Sequence, residues 1–287
     1  MSGHDHLGLA IWLEQLLALP FYLSLPAYLA AGWWSGRRGR RWPTRRYLYW
    51  LLGVAACLVA VTGPVAQRAD HSFSGHMVVH LLLGMVGPLL LVRAAPVTLA
   101  LRVLPVAAAR RLSRLLASRV VGVLTHPVTA GAGNVAALFL LYRTDLYALS
   151  GQHLGLHLVV HVHLFVFGYL FAASIVGVDP DRHRTGFPCR AVVLVLYVAA
   201  HSVLAKQLYA DPPPGVDAAD ARLGAQVLYY GGDAVDLLVM VLLCHRWYVL
   251  AAPSRSRHRL NVAPRTHEGL PSDGSSARAG WARQARR

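Results

Sequence analysis

Residues 153–178 read HLGLHLVVHVHLFVFGYLFAASIVGV. The stretch contains no Asp, Glu, Lys or Arg. As a helix rising 1.5 Å per residue its 26 residues reach roughly 39 Å. A bilayer core takes about 20 apolar helical residues, so this stretch is predicted to cross one. Working outward, stretches of the same kind lie at 9–31, 47–66, 76–101, 121–141, 190–209 and 225–250. The expected fold is therefore all-α, a polytopic membrane domain of seven transmembrane helices over residues 1–250. Pro20 and Pro26 in the first stretch, and Pro88 and Pro96 in the third, are tolerated where neighbouring helices re-satisfy the backbone. Residues 251–287, rich in Arg, Ser, Pro and Gly, are expected to form a basic disordered cytoplasmic tail.

The composition agrees. Only 14% of the 287 residues are charged and 55% are hydrophobic, where a soluble domain carries roughly 25% charged residues. A single water-soluble globule is excluded on that count. The net charge of +15 sits in short blocks between the apolar runs. Counting arginines outside the spans and at their ends, 23 fall on one side of the seven-span arrangement, and only Arg68, Arg143 and Arg222 on the other. Short basic loops stay cytoplasmic, which predicts an N-terminus outside and a C-terminus in the cytoplasm. It also accounts for the charge without nucleic acid, since the inner leaflet of the lipid bilayer is anionic. The opening MSGHDHLG lacks the positive n-region of a signal peptide, so none is expected to be cleaved. Cys57, Cys189 and Cys244 form no C-x-x-C, which argues against a disulfide framework and a thiolate metal site.

Histidines gather towards the outward ends of the predicted spans. His71 precedes the third, which opens with His76 and His80, and the fifth carries His153, His157, His161 and His163. His201 lies in the outer half of the sixth, and Asp233 and Asp236 in that of the seventh. His76 and His80 share a helix face at i, i+4. His153, His157 and His161 form a stripe drifting about 40° per step, with His163 about 200° round from His161. Imidazole is a good ligand for copper, zinc, iron and nickel, and Met77 adds a thioether suited to Cu(I). The competing reading is that these histidines bond across helices as polar glue. Six at one depth on two spans favour function, because ionisable groups inside a membrane are costly. Asp233 and Asp236 are open to three readings: metal ligands or histidine partners, a proton path, or pairing with Lys206. His126 and His245 read as interfacial anchors. The Ser2 amine with His4 is a further, weaker Cu(II) chelate.

The run Phe73–Arg102, FSGHMVVHLLLGMVGPLLLVRAAPVTLALR, resembles the opening signature of the CtaG family of cytochrome c oxidase assembly proteins, with its H-M-x-x-H. His126–Pro127 is similar to that family's H-P. The stretch His157–Phe171 followed by Asp179–Pro180 is similar to its histidine-rich span and D-P. His201 fits the histidine of its sixth span, and Asp220 with Gly224 resembles its acidic motif before the last. Val79 and Ala94 depart from the family's usual glutamine and glycine.

The resemblance implies a non-enzymatic role in assembling a haem-copper oxidase in the bacterial plasma membrane. The cargo would be copper, held or handed over at the outer face. The implied partners are oxidase subunits, with self-association left open. The expected ligands are His76, His80, His153, His157 and His161, with His71, His163, Met77 and His201 auxiliary. A b-type haem electron carrier and a metal transporter remain as alternatives, and a hydrolase is weaker because no nucleophile with a placed base can be read.

Overall fold

A computed structural model describes residues 3–251. The expected tail beyond residue 251 and the Ser2 amine lie outside the described residues. Twelve helices and no strand occur among the described residues. They are α1 (Gly3–Arg37), α2 (Thr44–Val61), α3 (Gly63–His71), α4 (Phe73–Arg93), α5 (Pro96–Val103), α6 (Val106–Leu116), α7 (Arg119–Leu124), α8 (Pro127–Arg143), α9 (Leu146–Gln152), α10 (Leu154–Val176), α11 (Phe187–Ala210) and α12 (Ala218–Val249). Six are long and apolar enough to cross a membrane: α2, α4, α10, α11, α12 and Gln15–Arg37 of α1.

The predicted fourth stretch, 121–141, is where the structure departs from the sequence reading. It is split into α7 and the 17-residue α8. The break falls at His126, extended at φ −68°, ψ 132°, because the ring of Pro127 disfavours helical geometry in the residue before it. His126 Nδ1 then accepts the Val128 N–H at 3.3 Å, capping α8. The third stretch likewise stops short of residue 101, turning at Ala95 into α5. Ala95 is left-handed at φ 57°, and Pro96 opens the new helix.

α4 is the axis of the bundle. In its most apolar window 72% of residues are buried, against 22–44% in the other five. It packs on α2, α3, α10 and α12. Pro88 cannot supply the N–H that the Gly84 carbonyl would accept, and its ring crowds that carbonyl. A wide π-helical turn over Leu82–Val86 takes up the misfit. Gly168 of α10 rests its backbone on the same carbonyl, where any Cβ would clash. α10 can therefore lie close alongside α4 and parallel to it.

Carboxylates tie both ends of this pair, one from α12 at the start of α4 and one following α10 at the start of α5. Asp220 at the start of α12 accepts Phe73 N–H at 2.5 Å, Ser74 N–H at 3.2 Å and the Ser74 hydroxyl at 2.5 Å. Asp179, just past α10, accepts Val97 N–H at 3.2 Å, Thr98 N–H at 2.7 Å and the Thr98 hydroxyl at 2.5 Å. Both oppose the partial positive charge of a helix N-terminus. The carbonyls that end α10 are met by cations: Arg190 donates to Ile175 at 3.0 Å, Arg184 to Gly177 at 2.6 Å, and Arg246 also to Gly177.

Candidate functional site

The histidines of α4 and α10 converge because the two helices run parallel from the same end. His76 and His161 face each other with ring centres 6.3 Å apart and planes at 84°. His157 stacks on His161 at 4.2 Å. His161 Nδ1 donates to the His157 carbonyl at 2.9 Å. That bond assigns the proton to Nδ1 and leaves the Nε2 lone pair free. His76 Nε2 lies 3.1 Å from the Tyr142 hydroxyl at the end of α8.

These three histidines line a cavity of about 500 Å³ together with Asp70 of α3 and Tyr147 of α9, whose ring meets that of His76 edge-on at 5.1 Å. Crowding by protein raises the Asp70 carboxyl above the usual carboxylate range, against the opposing pull of His71 and His161. Burial, reinforced by Asp220 and Asp70, pushes the Tyr147 phenol up to about 12. The wall therefore offers a neutral hydroxyl and one carboxylate.

One turn deeper on α4, the His80 ring is centred 5.9 Å from that of His201 of α11, with planes 22° apart. Both are 1% exposed. His80 Nδ1 and both ring nitrogens of His201 are buried without a hydrogen-bond partner. A neutral imidazole carries one donor and one acceptor, so His201 leaves both unanswered, which native interiors rarely tolerate. The ring of His201 lies against Gly232, where a Cβ would meet its Nδ1 at 2.9 Å. Asp236, one turn on, is 2% exposed with Oδ2 unpartnered. Asp233 accepts from Ser202 at 3.4 Å. Lys206 lies over the Tyr229 ring at 5.6 Å, and the one ion pair among the described residues is Arg143–Asp211. The aspartates are thus not paired with Lys206.

The remaining candidates fall outside both groups. His71 and His153 are exposed, and His153 precedes α10 in an extended conformation. His163 stacks on Phe167 at 4.2 Å. Met77 is fully buried in the main apolar cluster, against Gly224. Among the described residues no three His, Cys, Asp or Glu side chains form a ready metal cage. The sequence reading passed over Asp70, Tyr142 and Tyr147. Asp70 adjoins His71, which was a usable signal. Tyr142 ends an apolar run, where tyrosine ordinarily marks the membrane boundary.

The class defined here is a multi-span helical bundle with a histidine-lined cavity at one end and a buried histidine pair beneath it. Residues 26–249 match the family model for the cytochrome c oxidase caa3 assembly factor (Caa3_CtaG), and the chain belongs to that family. Uncharacterized proteins of Mycobacterium bovis and Mycobacterium tuberculosis are each 38% identical over 186 residues, covering 61% of this chain and 28% of theirs. One of Mycobacterium leprae is 29% identical over 253 residues, 80% of this chain and 37% of its own. The chain thus spans between about a quarter and two fifths of the curated relatives it matches. No solved structure matches.

Proposed function

We propose that this member of the oxidase assembly family works without catalysis, by holding copper for a haem-copper oxidase at the outer face of the bacterial plasma membrane. The observation that carries the reading is the spacing of the two histidine pairs. A linear nitrogen–metal–nitrogen bridge with bonds of about 2 Å sets ring centres roughly 6 Å apart. His76–His161 stand at 6.3 Å and His80–His201 at 5.9 Å. Cu(I) needs only two or three such donors, and imidazole suits it. The cavity gives the first pair access from outside, with His157 as a third donor. The second pair, with its orphaned nitrogens, is a deeper holding point.

The same reading takes α8 as a seventh span. Its 17 residues extend about 25 Å at 1.5 Å each. It runs antiparallel to α10, with Gly131 against Phe171 near one end and Tyr142 beside His76 at the other. Seven crossings then place the N-terminus outside and the arginine-rich ends in the cytoplasm.

The test is Cu(I) loading of the detergent-purified chain, with bound metal measured by mass spectrometry. The same variants are also returned to a strain lacking the gene, and the copper content of its oxidase is measured. His76→Ala/His161→Ala is expected to lose bound copper and to leave the oxidase copper-poor. Unchanged loading and a copper-replete oxidase in that variant would overturn the reading.

A further inference from the structure

We propose that a second site, at the opposite end of the bundle from the histidines, binds the phosphate headgroup of an anionic phospholipid. Arg38, just past α1, Arg102 of α5, and Arg110 and Arg114 of α6 surround an open cleft of about 860 Å³. Arg110 and Arg114 stand at i, i+4 and project from one face of α6. None of the four meets a carboxylate within 4 Å among the described residues. Two are held in place by aromatic rings and backbone. Arg102 lies over the Trp42 ring at 5.0 Å. Arg38 lies over Trp34 at 5.2 Å and reaches the Val103 carbonyl at 3.4 Å. Four guanidinium groups around one opening repel each other until an anion enters, and guanidinium forks match phosphate oxygens geometrically.

The surroundings select a lipid over a free anion. The cleft is also walled by Leu101 and Leu104, which offer acyl chains an apolar contact next to the charges. α6 is strongly amphipathic: about 180° round the helix from the cleft-lining Val106 it presents Leu115, 61% exposed. A short helix with a basic face and a bare apolar face lies in the plane of the membrane interface. Basic pockets between membrane helices take anionic headgroups.

The experiment uses delipidated full chain in detergent. Phosphatidylglycerol, phosphatidylcholine and inorganic phosphate are titrated separately, with native mass spectrometry and thermal unfolding as readouts. Phosphatidylglycerol is expected to bind in preference and to raise the melting temperature. Arg110→Gln/Arg114→Gln, both at exposed positions, should cut that preference about 25-fold, at about fivefold per arginine. Arg40→Gln/Arg41→Gln, which removes equal charge from exposed positions not lining the cleft, should retain it. Copper loading should be unaffected by either change, so this test is independent of the histidine reading. Equal binding of the two lipids would overturn the proposal. So would equal loss in both variants, or phosphate stabilising as well as phosphatidylglycerol.

Discussion

Removing the Asp220 carboxylate tests how α4, the helix that carries His76 and His80, is fixed at its first turn. The carboxylate accepts three hydrogen bonds, from two backbone N–H groups and one hydroxyl, at the first turn of α4. A hydrogen bond to a charged group contributes about 1.5–3 kcal/mol net, and losing a helix cap costs about 0.5–2 kcal/mol. The three share one acceptor and the site is half-buried, so they do not add in full. About 3 kcal/mol is expected for Asp220→Ala. For a chain of this size that is a fall in melting temperature of roughly 6–12 °C, at about 2–4 °C per kcal/mol. Asp220→Asn keeps one carbonyl acceptor and loses the charge, so it should fall about half as far. Asp211→Ala is the contrast. It breaks the one ion pair among the described residues, between side chains 35% and 71% exposed, and such a pair contributes under about 1 kcal/mol. Thermal unfolding in detergent, followed by tryptophan fluorescence, reads all three variants. If Asp220→Ala melts within about 3 °C of the parent, or Asp211→Ala falls as far as Asp220→Ala, the carboxylate does not hold this helix.

Gly168→Ala places a methyl group on the Gly84 carbonyl. Backbone cannot yield there as a side-chain tip does, so a loss of about 3 kcal/mol or more is expected from overpacking; an unchanged melting temperature would show that α4 and α10 are farther apart. Ala95→Gly should change stability by less than about 1 kcal/mol, because relief of about 1–2 kcal/mol at the left-handed residue is offset by the freedom of unfolded glycine and by loss of a fully buried methyl of about 0.8 kcal/mol; a fall in melting temperature of more than about 4 °C would contradict the strain at φ 57°. The raised pKa of Asp70 means that its folded form holds a proton more tightly than the unfolded chain does. Its contribution is therefore best at low pH and is lost as pH rises from near 4 through the raised value. Asp70→Asn should melt with the parent near pH 4 and slightly above it at pH 7, the gap staying small because the carboxyl is exposed; a variant less stable at pH 7 would reverse the sign.

Six of the seven predicted spans were legible because apolarity over a helical length is a local property. Breaks were harder: Pro127 and Pro96 were visible, but only the folded chain shows that one splits a span at His126 and the other turns it at Ala95. The acidic motifs at Asp179 and Asp220 were visible as residues, yet their role was not. Their partners lie 81–82 and 146–147 positions away, and nothing local links a carboxylate to a distant helix start. Spacing placed His76 with His80 and His157 with His161, as it does for any unbroken helix. It failed for His153, because α10 begins one residue later and the 100° rotation no longer applies. Met77 adjoins His76 in sequence but points about 100° round the helix, into the apolar cluster. That His80 meets His201 depends on how α4 and α11 pack, which single-helix periodicity does not contain.

If the histidines bind a cation as proposed, the two ends of the bundle bear on whether they hold it or pass it through. Below His80 and His201 the α12 side carries the buried Asp236, one turn beyond Gly232, but the α10 side is apolar to the far end. Below that level α10 buries Phe171, Ala172, Ile175 and Val176, with one polar residue, Ser174, whose hydroxyl donates to the Phe171 carbonyl of its own helix. The carbonyls that end α10, natural acceptors for a departing cation, are taken by Arg184, Arg190 and Arg246. Three guanidinium groups at an exit oppose any cation reaching it. A haem sandwiched between histidines needs an open slab between facing helices. The inner pair offers none, because Tyr142 and Tyr197 flank His80 and His201 and Gly232 lies against the His201 ring. Access from one end, histidines in depth and guanidinium groups at the other fit the proposed holder, which would fill and empty through the same opening.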